Sequence, residues 1–480
     1  MAYELSGFED IALDDGRLRS LIARHERCAV PYLSRLWMYF RNPLHAPDTA
    51  GGSAGPPAQA VGLPDRLRTP AHGTNAPREV VIENDIAWRV QTLIDFMFPE
   101  PPAIVSAARD ADTRMTIDTI LADVMAANGG ATLWHNAAML GSIYGHVDFL
   151  VHAHAGTTCA STRDAAIDAV RIDLVDALRG IPILCPTDYR RLDGYILRYE
   201  RETSHHRTHA DATSRVLNED GTPSRVTVTE IYSATHAQVY EDEVLVRDVR
   251  HGLGRVPVVH VQNMNQPLRY AGLSDVEPLI PLQDELNTRL SDRANRVTLQ
   301  SFRMWLGKGI EQFVDRPVGP GQMWMTDNPE ASIESFGGDA GCPSELAHIL
   351  DVREAMDKAS GVAPAAAGHI QSRVGNLTSE NAVRISLLGT IAKVNRKRVT
   401  YEQGIRNLCA MVLHVLDAHG ILRTQESDRA VNVIWSDALP PDESRRIEDA
   451  LKKAELGVPT ATLRSELGYP DRPDDRNDAA

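Results

Sequence analysis

The pattern of hydrophobic and polar positions is clearest over residues 272–306. Apolar residues recur there at steps of three and four, the spacing of one helix face, at Leu279, Leu282, Leu286, Leu290, Ala294 and Val297. Charged residues occupy the opposite face, at Asp284, Glu285, Arg289, Asp292, Arg293 and Arg296. A long helix with one apolar stripe and a charged back normally packs beside other helices. We therefore predict a long, side-by-side packed helix over residues 272–306.

The chain before this helix divides into a helical part and a β-rich part. Helical periodicity predicts helices over residues 17–40, 84–98, 117–128 and 131–144. The last of these is expected to run directly into a strand at residues 147–151. Between residues 180 and 263, short β-branched runs alternate with polar turns, which favours a mostly antiparallel sheet. Residues 44–76 are rich in Pro, Gly and Ala, and we expect a mobile surface loop there.

The chain after the central helix is predicted to be mainly helical. Residues 307–340 are β-like and punctuated by Gly and Pro, whereas residues 344–359 have the periodicity of a helix. A loop of small residues follows, and a very long helix then runs from Ser379 to about His419. Gly389 and Gly404 lie inside that helix and predict a kink or a helix contact. We expect an α+β fold that is predominantly helical.

Bulk composition narrows the class of protein. The chain has 480 residues, which is enough for two to four domains. It is 43% hydrophobic and 24% charged, as in ordinary globular proteins. The formal net charge of −15 argues against a protein that coats nucleic acid by neutralising phosphates. It is compatible with a protein that holds DNA loosely and lets it move.

Cysteine usage and the N-terminus indicate the compartment. The five cysteines are scattered, odd in number and without a CxxC pair, so we expect reduced thiols in a cytosolic setting. The first sixteen residues are acidic and lack the apolar core of a signal peptide. No apolar run approaches the ~20 residues that span a membrane, and we expect no membrane partner.

Histidine clusters are the main candidates for chemistry. His152 and His154 form an HxH pair at a predicted strand end, and His205, His206 and His209 lie in a polar stretch that resembles an exposed loop. A metal site needs converging ligands on an ordered frame, and neither group has that pattern. The phosphate-loop, GxSxG, HExxH and GxGxxG motifs do not occur in a suitable context. We predict no catalytic residue, no metal and no cofactor.

Five segments, taken in order, resemble the portal proteins of tailed double-stranded DNA phages, and are closest to the siphophage type. The segments are residues 35–43 (RLWMYFRNP), 83–98 (ENDIAWRVQTLIDFMF), 141–151 (GSIYGHVDFLV), 255–292 (RVPVVHVQN to TRLSD) and 435–468 (WSDALPPDE to RSELG). Each segment is weak alone, and their order carries the resemblance. It covers nearly the whole chain. The family has no identified catalytic residue to carry over.

The resemblance implies a ring of about twelve subunits with a central DNA channel at one capsid vertex. It also implies a division of the chain into a wing at residues 1–265, a stem helix at 266–300, a clip at 301–342, a second stem helix at 343–359, a tunnel loop at 360–378, a long kinked helix at 379–420 and a crown at 421–480. The 44–76 loop is longer than the family pattern leads us to expect, and its role stays open.

The resemblance further implies positions and partners. DNA-facing positions of the tunnel loop are expected at Val362, Ala365, Gly368, His369 and Arg373. The clip is expected to include Phe313 and Trp324. The charged stem positions Asp284, Arg289, Asp292, Arg293 and Arg296 suit a ring interface. The implied partners are other copies of the chain, double-stranded DNA, the large terminase, the major capsid and scaffolding proteins, and a head-completion or adaptor protein. The implied location is the virion, after assembly in the host cytoplasm.

Two alternatives stay open at this point. The first is another head or connector protein without a DNA channel, which would have no central pore about 30 Å wide, the width of a duplex plus clearance. The second is a hydrolase that uses His152 and His154 with a metal, which would contain bound zinc or manganese.

Overall fold

The computed structural model describes most of the chain. The described residues are 3–43, 58–68, 78–153, 162–202, 204–205, 214–215, 225–301, 304–308, 328–336, 342–367, 384–439, 443–458, 460, 463 and 467. The fold is a mixture of helices and sheets with more helix than strand, which agrees with the expected α+β class. No helix among these residues combines the length and apolar character that crossing a bilayer requires.

Eleven α-helices are described. They are α1 (Asp15–Arg24), α2 (Val30–Arg41), α3 (Asp65–Arg68), α4 (Asp85–Met97), α5 (Ala111–Ala127), α6 (Ala131–Tyr144), α7 (Thr162–Ala169), α8 (Ile280–Ser301), α9 (Pro343–Ser360), α10 (Leu388–Ala418) and α11 (Glu443–Glu455). A π-helical turn, His25–Ala29, joins α1 to α2. Short 3-10 helices occur at Glu9–Ile11, Ala58–Gly62, Glu277–Leu279, Pro364–Ala367 and Glu426–Arg429.

Fourteen strands are described. They are β1 (Ala103–Ser106), β2 (His146–Ala153), β3 (Val170–Val175), β4 (Gly180–Leu184), β5 (Leu192–Glu202), β6 (Ser204–His205), β7 (Ser214–Arg215), β8 (Arg225–Tyr232), β9 (His236–Glu241), β10 (Val244–Arg250), β11 (Val258–Gln262), β12 (Met304–Lys308), β13 (Ser332–Phe336) and β14 (Val431–Ile434). Every strand pair among the described residues is antiparallel, and within residues 180–263 this agrees with the sheet predicted from the sequence.

The chain folds into two compact units, each assembled from segments distant in sequence. The first unit contains Met1–Leu33, Val90–Ser274 and Gly361–Ala480, and the second contains Ser34–Arg89 and Asp275–Ser360. The expected wing, residues 1–265, therefore contributes to both units. The expected stem and clip segments fall almost entirely in the second unit.

Two sheets form the centre of the first unit. A five-stranded sheet has the order β10-β9-β8-β5-β4, and a three-stranded sheet has the order β11-β2-β3. Asp14 is the N-cap of helix α1, and its carboxylate accepts a hydrogen bond from the Arg17 amide at 2.7 Å. Helix α1 packs on the larger sheet. The core below α1 contains Phe8, Leu18, Ile22, Ile181, Ile183, Ile196, Ile231 and Tyr240. A second core joins the two sheets through Leu150, Val175, Tyr195, Leu197, Tyr232, Val256 and Val258.

Helix α10 packs over the three-stranded sheet. Gly404 lies against Val261 of β11, and Gly141 of α6 lies against the Tyr401 hydroxyl of α10. At both glycines the neighbouring atoms leave no room for a Cβ. Gly404 is therefore a contact glycine inside the 31-residue helix α10, and its contact is with a strand and not with another helix. Gly420, with φ +69°, follows the C-cap residue His419 and provides the left-handed conformation that commonly ends a helix.

The second unit is built on α8 and α9, which contact each other. The hairpin strands β12 and β13 pair between them in sequence, with Met304 opposite Phe336. A small cluster of Ala60, Leu63 and Leu67 packs beside the partly buried Ile82.

Several boundaries differ from the sequence-based expectations. The central helix starts at Ile280, not Gly272, because the 3-10 turn Glu277–Leu279 precedes it. It ends at Ser301, and Leu306 belongs to β12. Residues 379–383 of the expected long helix lie outside the described residues, and α10 itself begins at Leu388.

Candidate functional site

Helix α8, the central helix of the sequence pattern, turns a polar stripe inward. The stripe consists of Gln283, Asn287, Ser291 and Asn295, spaced four residues apart. The first three are fully buried, whereas Val297 of the expected apolar stripe is 49% exposed. The buried face of α8 therefore contains polar side chains as well as Leu286 of the predicted apolar stripe. Buried amides and hydroxyls need hydrogen-bond partners, and the structure provides them.

The polar stripe binds the backbone of an extended segment, residues 79–83. The Asn295 side chain accepts the Glu79 N–H at 3.0 Å and donates to the Glu79 carbonyl at 2.8 Å. The Ser291 hydroxyl accepts the Val81 N–H at 3.0 Å and lies 3.2 Å from the Val81 carbonyl. Each of these side chains therefore contacts both backbone groups of one residue.

The same arrangement continues at Glu83. Its N–H donates to the Asn287 side chain at 3.1 Å, and its carbonyl accepts from the Gln283 amide. Four helical residues rise about 6 Å, and two extended residues rise about 6.6 Å. The two repeats match, so a helix with polar side chains every fourth residue can hold alternate residues of an extended chain. We call these four side chains the polar ladder.

Gln59 extends the polar ladder into the rest of the second unit. It is fully buried, and its amide donates to the Tyr39 carbonyl at 2.7 Å and to the Asn84 side chain at 2.9 Å. Its oxygen accepts from Asn287 at 2.9 Å. Four separate segments are thus joined by one buried amide network.

Asp284 lies in a tight contact beside this network. Its carboxylate accepts the Tyr39 hydroxyl at 2.7 Å. A Cβ at Gly62 would stand 1.9 Å from an Asp284 carboxylate oxygen, so only glycine fits there. Burial raises the pKa of Asp284, although the Tyr39 hydrogen bond opposes that effect. Burial and the same hydrogen bond raise the pKa of Tyr39 to about 12.

Most of the predicted stem charges are paired inside the second unit. Arg289 binds Glu285 at 2.7 Å, and Arg296 binds Glu345 of α9 at 2.8 Å. The Asp292 carboxylate accepts hydrogen bonds from both terminal nitrogens of the Arg66 guanidinium. Arg293 is exposed. The structure therefore gives Asp284, Arg289, Asp292 and Arg296 intrachain contacts, and their expected role in a ring interface stays a prediction.

A buried arginine fixes the C-terminal end of α9. Arg89 is 3% exposed and binds Asp85 at 3.0 Å, Asp357 at 2.7 Å and the Ser360 hydroxyl at 3.0 Å. Burial raises the pKa of Asp357 despite the neighbouring guanidinium. This contact sets the position from which the chain leaves α9.

The start of the expected tunnel loop is held by Thr390 of α10. Gly361 has φ +69°, a backbone conformation that favours glycine. The Thr390 hydroxyl donates to the Gly361 carbonyl at 3.1 Å and accepts the Ala363 amide at 3.1 Å. Val362 is fully buried, so its side chain does not face an opening in this structure. Ala365 belongs to the short helix Pro364–Ala367.

The other predicted functional positions lie outside the described residues. These are Gly368, His369 and Arg373 of the tunnel loop, and Phe313 and Trp324 of the clip. Their roles stay predictions.

The histidine clusters, at which the sequence predicts no metal site, lie only partly within the described residues. His152 contacts Asp173 at 3.0 Å, and that carboxylate also pairs with Arg171 at 2.9 Å. His154, His206 and His209 lie outside the described residues. Across the described part of the chain, no three His, Cys, Asp or Glu side chains converge on a common metal position.

Sequence reasoning missed a buried network around Asp148 in the first unit. Asp148 is 1% exposed and accepts hydroxyls from Tyr195 at 2.7 Å and Tyr270 at 2.8 Å. The His260 ring lies 2.7 Å from the same carboxylate and stacks on Tyr270 at 3.7 Å. Burial alone would raise the pKa of Asp148, but His260 and the hydrogen bonds hold it below its usual value. The sign of this network in the sequence is the carboxylate of Asp148, which stands among the apolar residues Val147, Phe149 and Leu150.

A second buried histidine adjoins that network. His146 contacts the rings of His260 and Tyr270 at 5.4 and 5.3 Å. Burial lowers the pKa of His146 to about 4, so it is neutral near pH 7. These groups join β2, β11 and the loop that follows β11. They stabilise the fold, and His260 and Tyr270 also line a groove on the surface of the first unit.

One known protein family matches most of the chain. The family described as "Phage portal protein, SPP1 Gp6-like" matches residues 73–478. The chain belongs to this family of phage portal proteins, which are structural rather than enzymatic. The resemblance found in the sequence is therefore confirmed.

Two solved structures are also similar. One is described as the virion of a native gene transfer agent particle, with 12% identity, a TM-score of 0.43, and coverage of 81% of this chain and 90% of that chain. The other is described as the neck of an empty gene transfer agent particle, with 13% identity, a TM-score of 0.45, and coverage of 81% and 91%. No curated protein matches the chain.

Proposed function

We propose that the protein is the portal of a tailed phage or phage-like particle, forming a ring of about twelve copies at one capsid vertex. Genomic DNA would enter and leave through the channel of this ring. Membership of the portal family over residues 73–478 carries the proposal. In this role the protein acts as a structural head-tail connector and not as an enzyme.

The second unit has properties suited to the rigid part of such a ring. The polar ladder, Gln59 and Arg89 fix α8, α9 and the extended segment by buried hydrogen bonds. Such networks specify one arrangement, because any shift leaves buried polar groups unpaired. We assign α8 and α9 to the stem, β12 and β13 to the clip, and residues 360–378 to the tunnel loop.

Charge supports a channel in which DNA slides. Twelve copies of a chain with formal net charge −15 carry about −180 charges. Such a ring repels the phosphate backbone weakly from all sides, so DNA does not stop at each phosphate. His369 and Arg373 of the loop would contact phosphates only transiently.

The proposed partners follow from this position at the vertex. The large terminase would dock on the clip during packaging, and a head-completion or adaptor protein would replace it afterwards. The major capsid and scaffolding proteins would surround the wing during assembly in the host cytoplasm.

Negative-stain class averages of the purified full-length chain test the proposal. We expect toothed rings with twelvefold symmetry, or thirteenfold after overexpression, and an axial opening about 30 Å wide, which clears a DNA duplex. Closed particles without an opening would favour a head or connector protein that lacks a channel. Compact dimers would contradict the portal assignment altogether. Elemental analysis of the same sample should find no stoichiometric zinc or manganese, whereas one metal per chain would favour the hydrolase.

A further inference from the structure

A groove in the first unit concentrates positive charge in an acidic protein. It has a volume of about 520 Å³ and is formed by the turn before β5, by β11 and the loop after it, and by α10. Its sixteen lining residues include four arginines, Arg190, Arg191, Arg255 and Arg269, and no aspartate or glutamate. The whole chain has 65 acidic residues against 50 basic ones. We call this concavity the arginine groove.

Two of the arginines are available to a partner. Arg255 and Arg269 are exposed, and neither guanidinium has a carboxylate partner among the described residues. Arg190 and Arg191 already pair with the nearby Asp188 and Asp193. Arginine favours carboxylates and phosphates because its planar fork donates two parallel hydrogen bonds.

Part of the lining of the arginine groove is apolar, and we call this part its floor. Val256, Val258 and Met411 line it and are themselves mostly buried. A bare phosphate backbone would leave this floor unfilled. The chemistry that matches both parts is a polypeptide segment that carries carboxylates next to small apolar side chains.

The chain itself presents such a segment at the other side of the same sheet. The β9–β10 hairpin has three consecutive acids at its tip, Glu241, Asp242 and Glu243. They are followed on β10 by Val244 and Val246, which are 48% and 58% exposed. β10 forms a free edge of the five-stranded sheet.

Glu243 is not the residue that the turn geometry prefers at its position. Asp242 and Glu243 have φ of +46° and +70°, as in the tight hairpin turns that favour Asn-Gly. A glutamate in that conformation costs about 1 kcal/mol or more relative to glycine. Each acid also has a partner, since Glu241 pairs with Arg201, Glu243 pairs with Arg19, and Asp242 accepts the Thr227 amide. The acidic tip is thus ordered as well as charged.

The two surfaces lie at diagonally opposite corners of the sheet. Leu192, which lines the groove, is the first residue of β5 and pairs with Leu184 of β4 at the opposite edge from β10. Along the strands, the Leu192 end of β5 lies near Tyr232 and His236, whereas the hairpin tip lies at the other end. Two complementary patches on opposite sides of one subunit generate head-to-tail assembly, which closes into a ring when the rotation permits.

We propose that the arginine groove of one copy binds the β9–β10 hairpin of the neighbouring copy. Arg255 and Arg269 would face the acidic tip, and Val244 and Val246 would cover the apolar floor. This contact rests on the proposed ring-forming function, and it names the surfaces through which the first units of neighbouring copies meet.

Two variants isolate the two halves of the contact. Arg255→Glu with Arg269→Glu reverses the groove charge at exposed positions, and Val244→Asn with Val246→Asn replaces the exposed valines of the edge strand by neutral polar residues. Each variant alone should weaken self-association about 100-fold or more, as loss of a complementary charged or apolar centre does. Mass photometry of the full-length chain should then show mostly monomers of 52.8 kDa in place of rings.

Mixing the two variants is the decisive part of the experiment. One variant keeps its hairpin and the other keeps its groove, so a single intact contact forms and both remaining surfaces are defective. We expect a 1:1 dimer that grows no further. This gain of association also demonstrates that both variants are folded.

The other outcomes separate the contact from the proposed function. Wild-type-like rings from both variants, or no dimer in the mixture, would overturn the contact and leave the portal assignment intact. A wild-type chain that stays monomeric would overturn both. If the groove variant keeps its rings but loses binding of a fluorescein-labelled oligoglutamate or a 15-nucleotide single strand, the groove serves another acidic protein or a nucleic acid instead.

Discussion

Gly404 of α10 lies so close to Val261 of β11 that a Cβ at position 404 would stand 2.3 Å from a Val261 methyl group. The helix and the strand therefore approach each other closely at this position. Gly389, in the same helix, has open space around its Cβ position. The two glycines therefore make a matched pair for a test.

Gly404→Ala should destabilise the first unit, whereas Gly389→Ala should not. Alanine improves helix propensity by about 1 kcal/mol at either site. At Gly404, overpacking against Val261 costs about 1–3 kcal/mol and outweighs that gain. Urea denaturation followed by circular dichroism measures both variants. Equal stabilisation by the two substitutions would show that α10 does not approach β11 this closely.

The polar ladder can be tested one rung at a time. Asn287→Ala removes a fully buried amide and leaves Glu83 and Gln59 groups unpaired, so we expect a loss of about 2–4 kcal/mol in the second unit. Arg293→Ala, an exposed substitution on the same helix, should change stability by less than about 0.5 kcal/mol.

Hydrogen exchange gives the same test at single-residue resolution. Ser291→Ala should accelerate exchange of the Val81 amide, because the Ser291 hydroxyl accepts its hydrogen bond. Protection of the Glu79 amide, which is bound by Asn295, should change much less. Unchanged exchange at Val81 would contradict the docking of residues 79–83 on α8.

Stability should fall in acid partly because of His146. Its folded-state pKa of about 4 lies below the unfolded value of 6.5, so the unfolded chain binds more protons between these values. The contribution of neutral, buried His146 to the free energy of unfolding is fully present above about pH 6.5. It declines as the pH falls toward 4, by about 3 kcal/mol in total.

A His146→Gln variant isolates this effect. Between pH 7 and 4 its stability should decline less steeply than that of the wild type, although its stability at pH 7 is lower. Thermal unfolding at a series of pH values measures both slopes. Parallel slopes would show that His146 titrates normally in the folded protein.

The tunnel-loop assignment predicts a separation of assembly from packaging. Deleting Ala365–Gly368 should leave rings intact, because the anchor at Gly361 and Thr390 is kept. Packaging, measured as DNase-protected DNA in particles, should fall at least tenfold. Ala366→Ser, which preserves the loop length and lies outside the expected DNA-facing positions, serves as the control and should package normally. Full packaging by the deletion variant would count against the loop assignment.

Sequence periodicity predicted the helices that pack through apolar side chains. The helix at residues 131–144 has the predicted bounds, and the helices at 84–98 and 344–359 differ by about one residue at each end. Strand β3 and helix α7 were missed, because short mixed segments carry no clear period.

The polar ladder could not be found by counting apolar positions. Gln283, Asn287 and Ser291 are buried because an extended backbone lies on α8 and needs donors and acceptors. A hydrophobic pattern assigns such residues to solvent. The order of the portal-like segments, by contrast, was readable from the sequence alone, and the family match confirms it.

Native mass spectrometry of the purified full-length chain tests the central claim most directly, since it counts the copies in one particle. We predict a closed assembly of twelve chains of 52.8 kDa, or thirteen after overexpression, with few intermediate species. A spectrum that contains only monomers or dimers at micromolar concentration would contradict it.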